Sequence, residues 1–172
     1  MSQQIILACD DDGKFLEYIP KEKGHKGEGR RHLAICVLLS NSKGQVLLQK
    51  RKHKIFDNIQ DLTGATHLLH KDEKDETSED ATRRCLKEEW GIIEKMPLKN
   101  LGFFNYFAKY EEYCENEHCC LMVGEYDGEI NLNPEMGYEY KWMDKEEFLK
   151  DIEQNPQNYT PWAKEAILHK LL

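Results

Sequence analysis

The sequence predicts a mixed α/β (α+β) fold in which strands, one long helix, more strands and two short helices follow one another. Three observations carry that prediction. Two apolar runs, the first rich in branched side chains, flank a polar turn at Asn41 to Gly44. A capped helical stretch closes at Gly91, and no repeat or Pro/Gly/Ser linker divides the 172 residues. One domain over residues 1–172 is expected, with a core that buries roughly 70% of the unfolded surface.

The chain opens on MSQQIILACDDDG, where no basic segment precedes the short apolar run, and no run anywhere reaches the ~20 apolar residues of a membrane span. Neither secretion nor membrane insertion is expected. Residues 21–31 form a polar stretch. The run HLAICVLLS, the turn NSKG and the run QVLLQKR predict a β-hairpin. The charged segment HKDEKDETSED predicts a solvated loop. In TSEDATRRCLKEEWGI, Thr77 or Ser78 suits the N-cap, Glu79 and Asp80 suit the positive helix end, and Gly91 suits a left-handed C-cap. Strands follow over 101–107, 113–126 and 138–143. DKEEFLKDIEQN and TPWAKEAILHKLL then predict helices, with Thr160 ahead of Pro161 at the first position of the second.

Hydrophobic residues make up 40% and charged residues 33% of the chain, which excludes bulk disorder and fibrous architecture. The net charge of -8 disfavours nucleic acid and anionic membranes as partners, so an anionic small molecule would need a local basic patch or a metal. No feature sets an oligomeric state. None of the 6 cysteines forms a CxxC pair, so a zinc ribbon is excluded and reduced thiols in a cytoplasmic protein are expected.

Glu88 and Glu89 fall in the last turns of the long helix, near its negative end, where carboxylates are locally unfavourable. Two readings are open. Arg84, one turn earlier, makes an ordinary ion pair with Glu88, or the adjacent carboxylates join others as hard oxygen ligands for a divalent cation. The stretch ETSEDATRRCLKEEWGI is similar to the Nudix box: Gly, five residues, Glu, seven residues, Arg-Glu, an apolar residue, any residue, Glu-Glu, any residue, Gly, an apolar residue. Glu76, Arg84, Leu86, Glu88, Glu89, Gly91 and Ile92 fall on their places. Cys85 replaces a Glu, and His70 stands where Gly is expected, which a six-residue insertion after Gly64 would explain. The resemblance implies Mg2+ or Mn2+ held by Glu76, Glu88 and Glu89 and engaged with a small-molecule diphosphate.

A second constellation is His25, His32 and His67 with Glu115 and Glu117, the two carboxylates lying on one strand face by the period of two. Three imidazoles and two carboxylates suit a transition metal such as Zn2+ or Mn2+. Together they resemble the type I isopentenyl diphosphate isomerase family, a Nudix branch, and the likeness spans about residues 20–165. It implies an α/β/α sandwich around a mixed sheet with the box helix on one face. It also implies substrate contacts from Lys21, Arg51, Lys54 and Trp162, a metal-bound acid/base at Glu117, a helper at Tyr106, and Glu89 at the second cation.

One position departs from the family. In TGATH, Ala65 stands where the isomerases carry a cysteine across the substrate from the metal-bound Glu, and alanine moves no proton. Shifting a double bond needs acid/base groups on both faces. Cys119, two residues beyond Glu117, and Cys85, a turn before Glu89, are the candidate substitutes. With the phosphate grip retained and that thiol gone, hydrolysis of a diphosphate linkage becomes the expected activity, with Glu117, Glu88, Glu89 and Tyr106 as its catalytic set. Isomerisation with a displaced acid/base group and a non-catalytic diphosphate-binding module are the alternatives.

Overall fold

The computed structural model describes residues 3–169. In chain order the elements are β1 (Ile5–Cys9), β2 (Phe15–Pro20), α1 (Lys21–His25), β3 (His32–Ser40), β4 (Gln45–Arg51), β5 (Gln60–Asp61), β6 (Gly64–His67), β7 (Leu69–Lys71) and β8 (Lys74–Asp75). They continue as α2 (Ser78–Trp90), β9 (Leu98–Tyr110), β10 (Tyr113–Glu125), β11 (Gly137–Asp144), α3 (Lys145–Gln154), a 3-10 turn at Pro156–Asn158 and α4 (Pro161–Leu168).

The architecture follows from β3. Its run HLAICVLLS is apolar at almost every position, as a strand buried on both faces must be. Ala34, Cys36 and Leu38 pack on one side against Phe148 and Ile152 of α3 and Trp162, Ala163 and Ala166 of α4. Ile35, Val37 and Leu39 pack on the other against Ala81, Leu86 and Trp90 of α2. The result is helix, sheet, helix: the expected α/β/α sandwich. The sheet is mixed, because β10 runs parallel to β3 from Glu117↔His32 to Glu125↔Ser40, while β6 pairs antiparallel to it from Ala34↔His67 to Val37↔Gly64.

Two readings of the sequence are corrected. The turn at Asn41 to Gly44 forms, but β3 and β4 pair only at Ser40↔Val46, after which β4 turns to β11. The reason is competition: β10 and β6 take both edges of β3. The charged HKDEKD segment is exposed as expected yet paired, since Asp72 and Glu73 adopt φ 51° and 59° and close the β7–β8 hairpin at Lys71↔Lys74. Within the polar residues 21–31, Lys21–His25 forms a helical turn.

The long helix keeps its signals. Thr77 is the N-cap, its hydroxyl accepting from Asp80 N at 3.1 Å while the Asp80 carboxylate accepts from Thr77 N at 3.0 Å. Gly91 closes the helix at φ 66°, a conformation that favours glycine. Thr77→Ala should lower the free energy of unfolding by about 1 kcal/mol in urea melts. The bonds from Thr77 hold the Asp80 carboxyl below its ordinary range. Its stabilisation is therefore present above the unfolded pKa and lost as pH falls through the lower folded value, so the gap between wild type and Asp80→Ala should narrow from about pH 6 to about pH 3. The end of the last predicted helix, residues 170–172, lies outside the described residues.

Candidate active site

Four elements converge at one end of β3. Helix α1 supplies His25, β3 begins with His32, β6 ends with His67, and β10 carries Glu115 and Glu117 on one face. The pairing Glu117↔His32 sets a carboxylate beside an imidazole, and Ala34↔His67 brings the third imidazole to the same edge. One ligand atom from each of the five lies within 4.8 Å of all the others. His25 Nε2 is 3.2 Å from Glu115 Oε2, and His67 Nε2 is 3.1 Å from Glu117 Oε1.

The protonation of two rings follows from their outer contacts. His25 Nδ1 lies 2.7 Å from the Lys21 carbonyl, and His32 Nδ1 lies 2.7 Å from the Arg30 carbonyl. A carbonyl only accepts, so each Nδ1 carries a proton, and in the neutral ring each Nε2 turns a lone pair inward. His32 Nε2 and Glu115 Oε2 are buried with no hydrogen-bond partner. Inward lone pairs, orphaned buried acceptors and an all N/O donor set fit a divalent transition metal. Burial opposes the charge on Glu115, yet the His25 and His67 imidazoles beside it hold its carboxyl well below the carboxylate range. Tyr106 donates its hydroxyl to Glu117 Oε2 at 2.6 Å, and burial pushes that phenol well above its ordinary range.

Beside this cluster opens a cavity of about 830 Å³. Lys21, Arg51, His53, Lys54 and Arg84 line it as bases, Glu88, Glu89 and Glu115 as acids, and Ala65 and Cys85 as small wall residues. A recess of about 30 Å³ is walled by Ala65, His67, Tyr106, Glu117 and Trp162. It has room for about two waters. Ala65 faces both spaces.

The three carboxylates of the box part into three environments. Glu89 is buried, accepting from Gln49 Nε2 at 2.7 Å and from the Cys85 thiol at 3.2 Å, and burial pushes its carboxyl up to about 7. Gly64 allows this close approach of β6 to α2, since a Cβ there would meet Cys85 Sγ at 2.7 Å. Glu88 is exposed, 3.5 Å from Arg84. Glu76, expected to share a cation with these two, accepts from Arg84 Nε at 2.7 Å, Arg84 Nη2 at 2.8 Å and the Leu69 amide at 3.0 Å.

The basic residues are held as deliberately. Burial lowers the Lys21 pKa, partly countered by Glu115. Lys54 sits at the rim, donating to the Tyr113 hydroxyl with its ammonium 4.1 Å from that ring's centroid. Trp162 is 2% exposed and donates its indole N–H to Asp61 at 2.7 Å, with the Arg51 guanidinium 4.9 Å above its ring. Sequence reading passed over Asp61, Gln49 and His53. Burial, with Arg51 and Lys21 nearby, depresses His53 to about 4. None carries a local signal, because each draws its significance from neighbours distant in the chain.

Of the two candidate substitute thiols, Cys85 lines the cavity, whereas Cys119 is buried between Ala34, Cys36 and Tyr106 in the α3/α4 core. All six cysteines are free and buried. Burial raises Cys85 and Cys119 well above the ordinary thiol range and Cys120 to about 12. Ellman's reagent at neutral pH should therefore find almost no reactive thiol in the native protein and all 6 after denaturation.

Comparison with known proteins places this geometry. The NUDIX domain model matches residues 30–163. The chain is 31% identical to the isopentenyl-diphosphate Delta-isomerase 2 of Aromatoleum aromaticum, covering 94% of this chain and 83% of that protein. It is 29% identical to that organism's isopentenyl-diphosphate Delta-isomerase 1, covering 97% and 92%. Its fold is similar to the crystal structure of DR0079 from Deinococcus radiodurans, with a TM-score of 0.74 at 18% identity over 96% of this chain and 98% of that one. Among the described residues no helix is long and apolar enough to cross a membrane. The chain belongs to the Nudix family, on the branch similar to the isopentenyl-diphosphate isomerases.

Proposed function

We propose that this protein is a divalent-metal-dependent cytoplasmic enzyme that hydrolyses a diphosphate linkage in a small molecule, with no nucleic-acid or membrane partner. The observation that carries the reading is Ala65: Arg51, Ala65, Thr66, His67 and Glu115 border both the cavity and the recess, and the one in the place of the expected thiol offers only a methyl group. Glu117, with Tyr106 on its Oε2, is the acid/base member at the recess, and Ala65, which moves no proton, stands where the resemblance puts the second.

Glu88 and Glu89 would hold Mg2+ or Mn2+, which would supply Lewis-acid chemistry to a diphosphate and a bound water. The chain's own residues do the rest. Lys21 and Arg51 bind and orient the diphosphate, Lys54 closes on it from the rim, and all three offset charge that grows on the leaving phosphate. The His25, His32, His67, Glu115 and Glu117 set would hold a separate Zn2+ or Mn2+ in a structural role.

The isomerase reading is favoured by one specific observation, the complete five-residue cluster with Tyr106 on Glu117. One tube separates the two. Isopentenyl diphosphate and Mg2+ in heavy water are followed by proton and phosphorus NMR. Hydrolysis of the linkage releases phosphate and leaves the monophosphate, with Glu89→Gln slowing release by about 10²-fold or more. Isomerisation gives deuterium uptake or the dimethylallyl compound with the diphosphate intact. Unchanged release from Glu89→Gln would sink the hydrolase reading, and an unchanged spectrum moves the same assay to nucleoside diphosphate compounds.

A further inference from the structure

Asp61 is a fully buried carboxylate that the reading above leaves without a role. Its Oδ1 is saturated: it accepts from Leu62 N at 2.8 Å, Thr160 Oγ1 at 2.9 Å and Trp162 Nε1 at 2.7 Å. Its Oδ2 has no hydrogen-bond partner and faces Arg51 Nη1 at 3.6 Å, beyond hydrogen-bond length. Leaving a buried carboxylate oxygen unpaired is costly. A purely architectural acceptor for Thr160 and Trp162 would not need the second oxygen or the charge.

Two neighbours are visibly arranged around this group. Thr160 is the N-cap of α4, yet its hydroxyl caps nothing and goes to Asp61 instead. Arg51 is gripped from three sides, by Asp61 at Nη1, by the Ile55 carbonyl at Nε (3.4 Å) and by the Trp162 ring beneath. What remains of the guanidinium faces the cavity that Arg51 lines.

We infer that Asp61 is the positioning residue of the phosphate grip, the counter-charge that keeps Arg51 flat on Trp162 and aimed into the cavity, so that an anion bound by Arg51 is felt at the N-terminus of α4. This rests on the reading of the cavity as a diphosphate site. Asparagine cannot replace the carboxylate in both duties. With its oxygen kept on Trp162 and Thr160, its amide N–H groups meet the N–H groups of Arg51.

The test is a double-mutant cycle read by calorimetric titration of inorganic pyrophosphate with Mg2+. Asp61→Asn is expected to weaken binding about tenfold, Arg51→Ala at least as much, and the double variant no more than Arg51→Ala alone. An equal loss from Asp61→Asn in both backgrounds marks a merely structural role and overturns the inference. The second measurement needs no change at Asp61. In the wild-type chain the indole ¹H–¹⁵N signal of Trp162, assigned with Trp162→Phe, should shift as pyrophosphate saturates the site, and should not shift in Arg51→Ala. A signal that stays in place at saturation overturns the inference even if Asp61→Asn fails to fold. Failure of the wild type to bind pyrophosphate would remove the diphosphate reading and this role with it, whereas binding with additive losses removes this role alone.

Discussion

Ala65→Cys is expected to raise conversion of isopentenyl diphosphate to its dimethylallyl isomer by about 10²–10⁴-fold, the usual contribution of a positioned acid/base group. The substitution adds one sulfur to a side chain that already borders the cavity and the recess holding Glu117 and Tyr106. The new thiol would work on one side of a bound prenyl chain and Glu117 on the other, completing the pair that proton transfer at two carbons requires. Ala65→Ser, similar in size but a far weaker acid, should gain much less. The assay is proton NMR with metal and substrate in excess. No gain from Ala65→Cys in a protein that still binds pyrophosphate would show that position 65 is not what separates this chain from its isomerase relatives.

His67→Ala is expected to weaken transition-metal affinity by at least about 10²-fold and to remove most of the stabilisation that metal confers. His67 lies 3.1 Å from Glu117 Oε1 and 4.0 Å from Glu115 Oε2, so it is the imidazole that touches both carboxylates. An ion that binds only the folded state at about 1,000 times its Kd adds about 4 kcal/mol. Thermal melts with Zn2+, with Mn2+ and with a chelator, together with elemental analysis, would show a metal-dependent rise in Tm for wild type. His67→Ala should lack that rise. Equal metal content and equal shifts in the two proteins would eliminate the cluster as the site.

Both predictions depend on groups of unequal legibility. Glu115 and Glu117 could be placed on one face because a strand repeats every two residues, and α2 announced itself through Thr77, Asp80 and Gly91, whose signals are local. The gathering of His25, His32 and His67 came only from likeness to a family, since no spacing rule joins a helical turn to two strands. Asp61 was out of reach for the same reason: its partners Thr160 and Trp162 are 99 and 101 residues away. Glu76 was legible as a candidate ligand from the box pattern, whereas the Arg84 guanidinium on its carboxylate was not. The hairpin expected of β3 and β4 failed because a turn specifies only the first pair, and the remaining edge of β3 goes to whichever strand packs best.

The parallel register of β3 with β10 also governs the order in which the molecule can assemble. Glu117 meets His32 only when segments from opposite halves of the chain have aligned, the kind of high contact-order step that comes slowly and closes a long loop. Before that alignment, β10 holds two carboxylates and the α1–β3 segment two imidazoles, neither a full coordination sphere. A metal ion would therefore find its five donors only in a chain in which this long-range pairing is complete, and its capture would act as a late checkpoint that favours correctly closed molecules over partly folded ones.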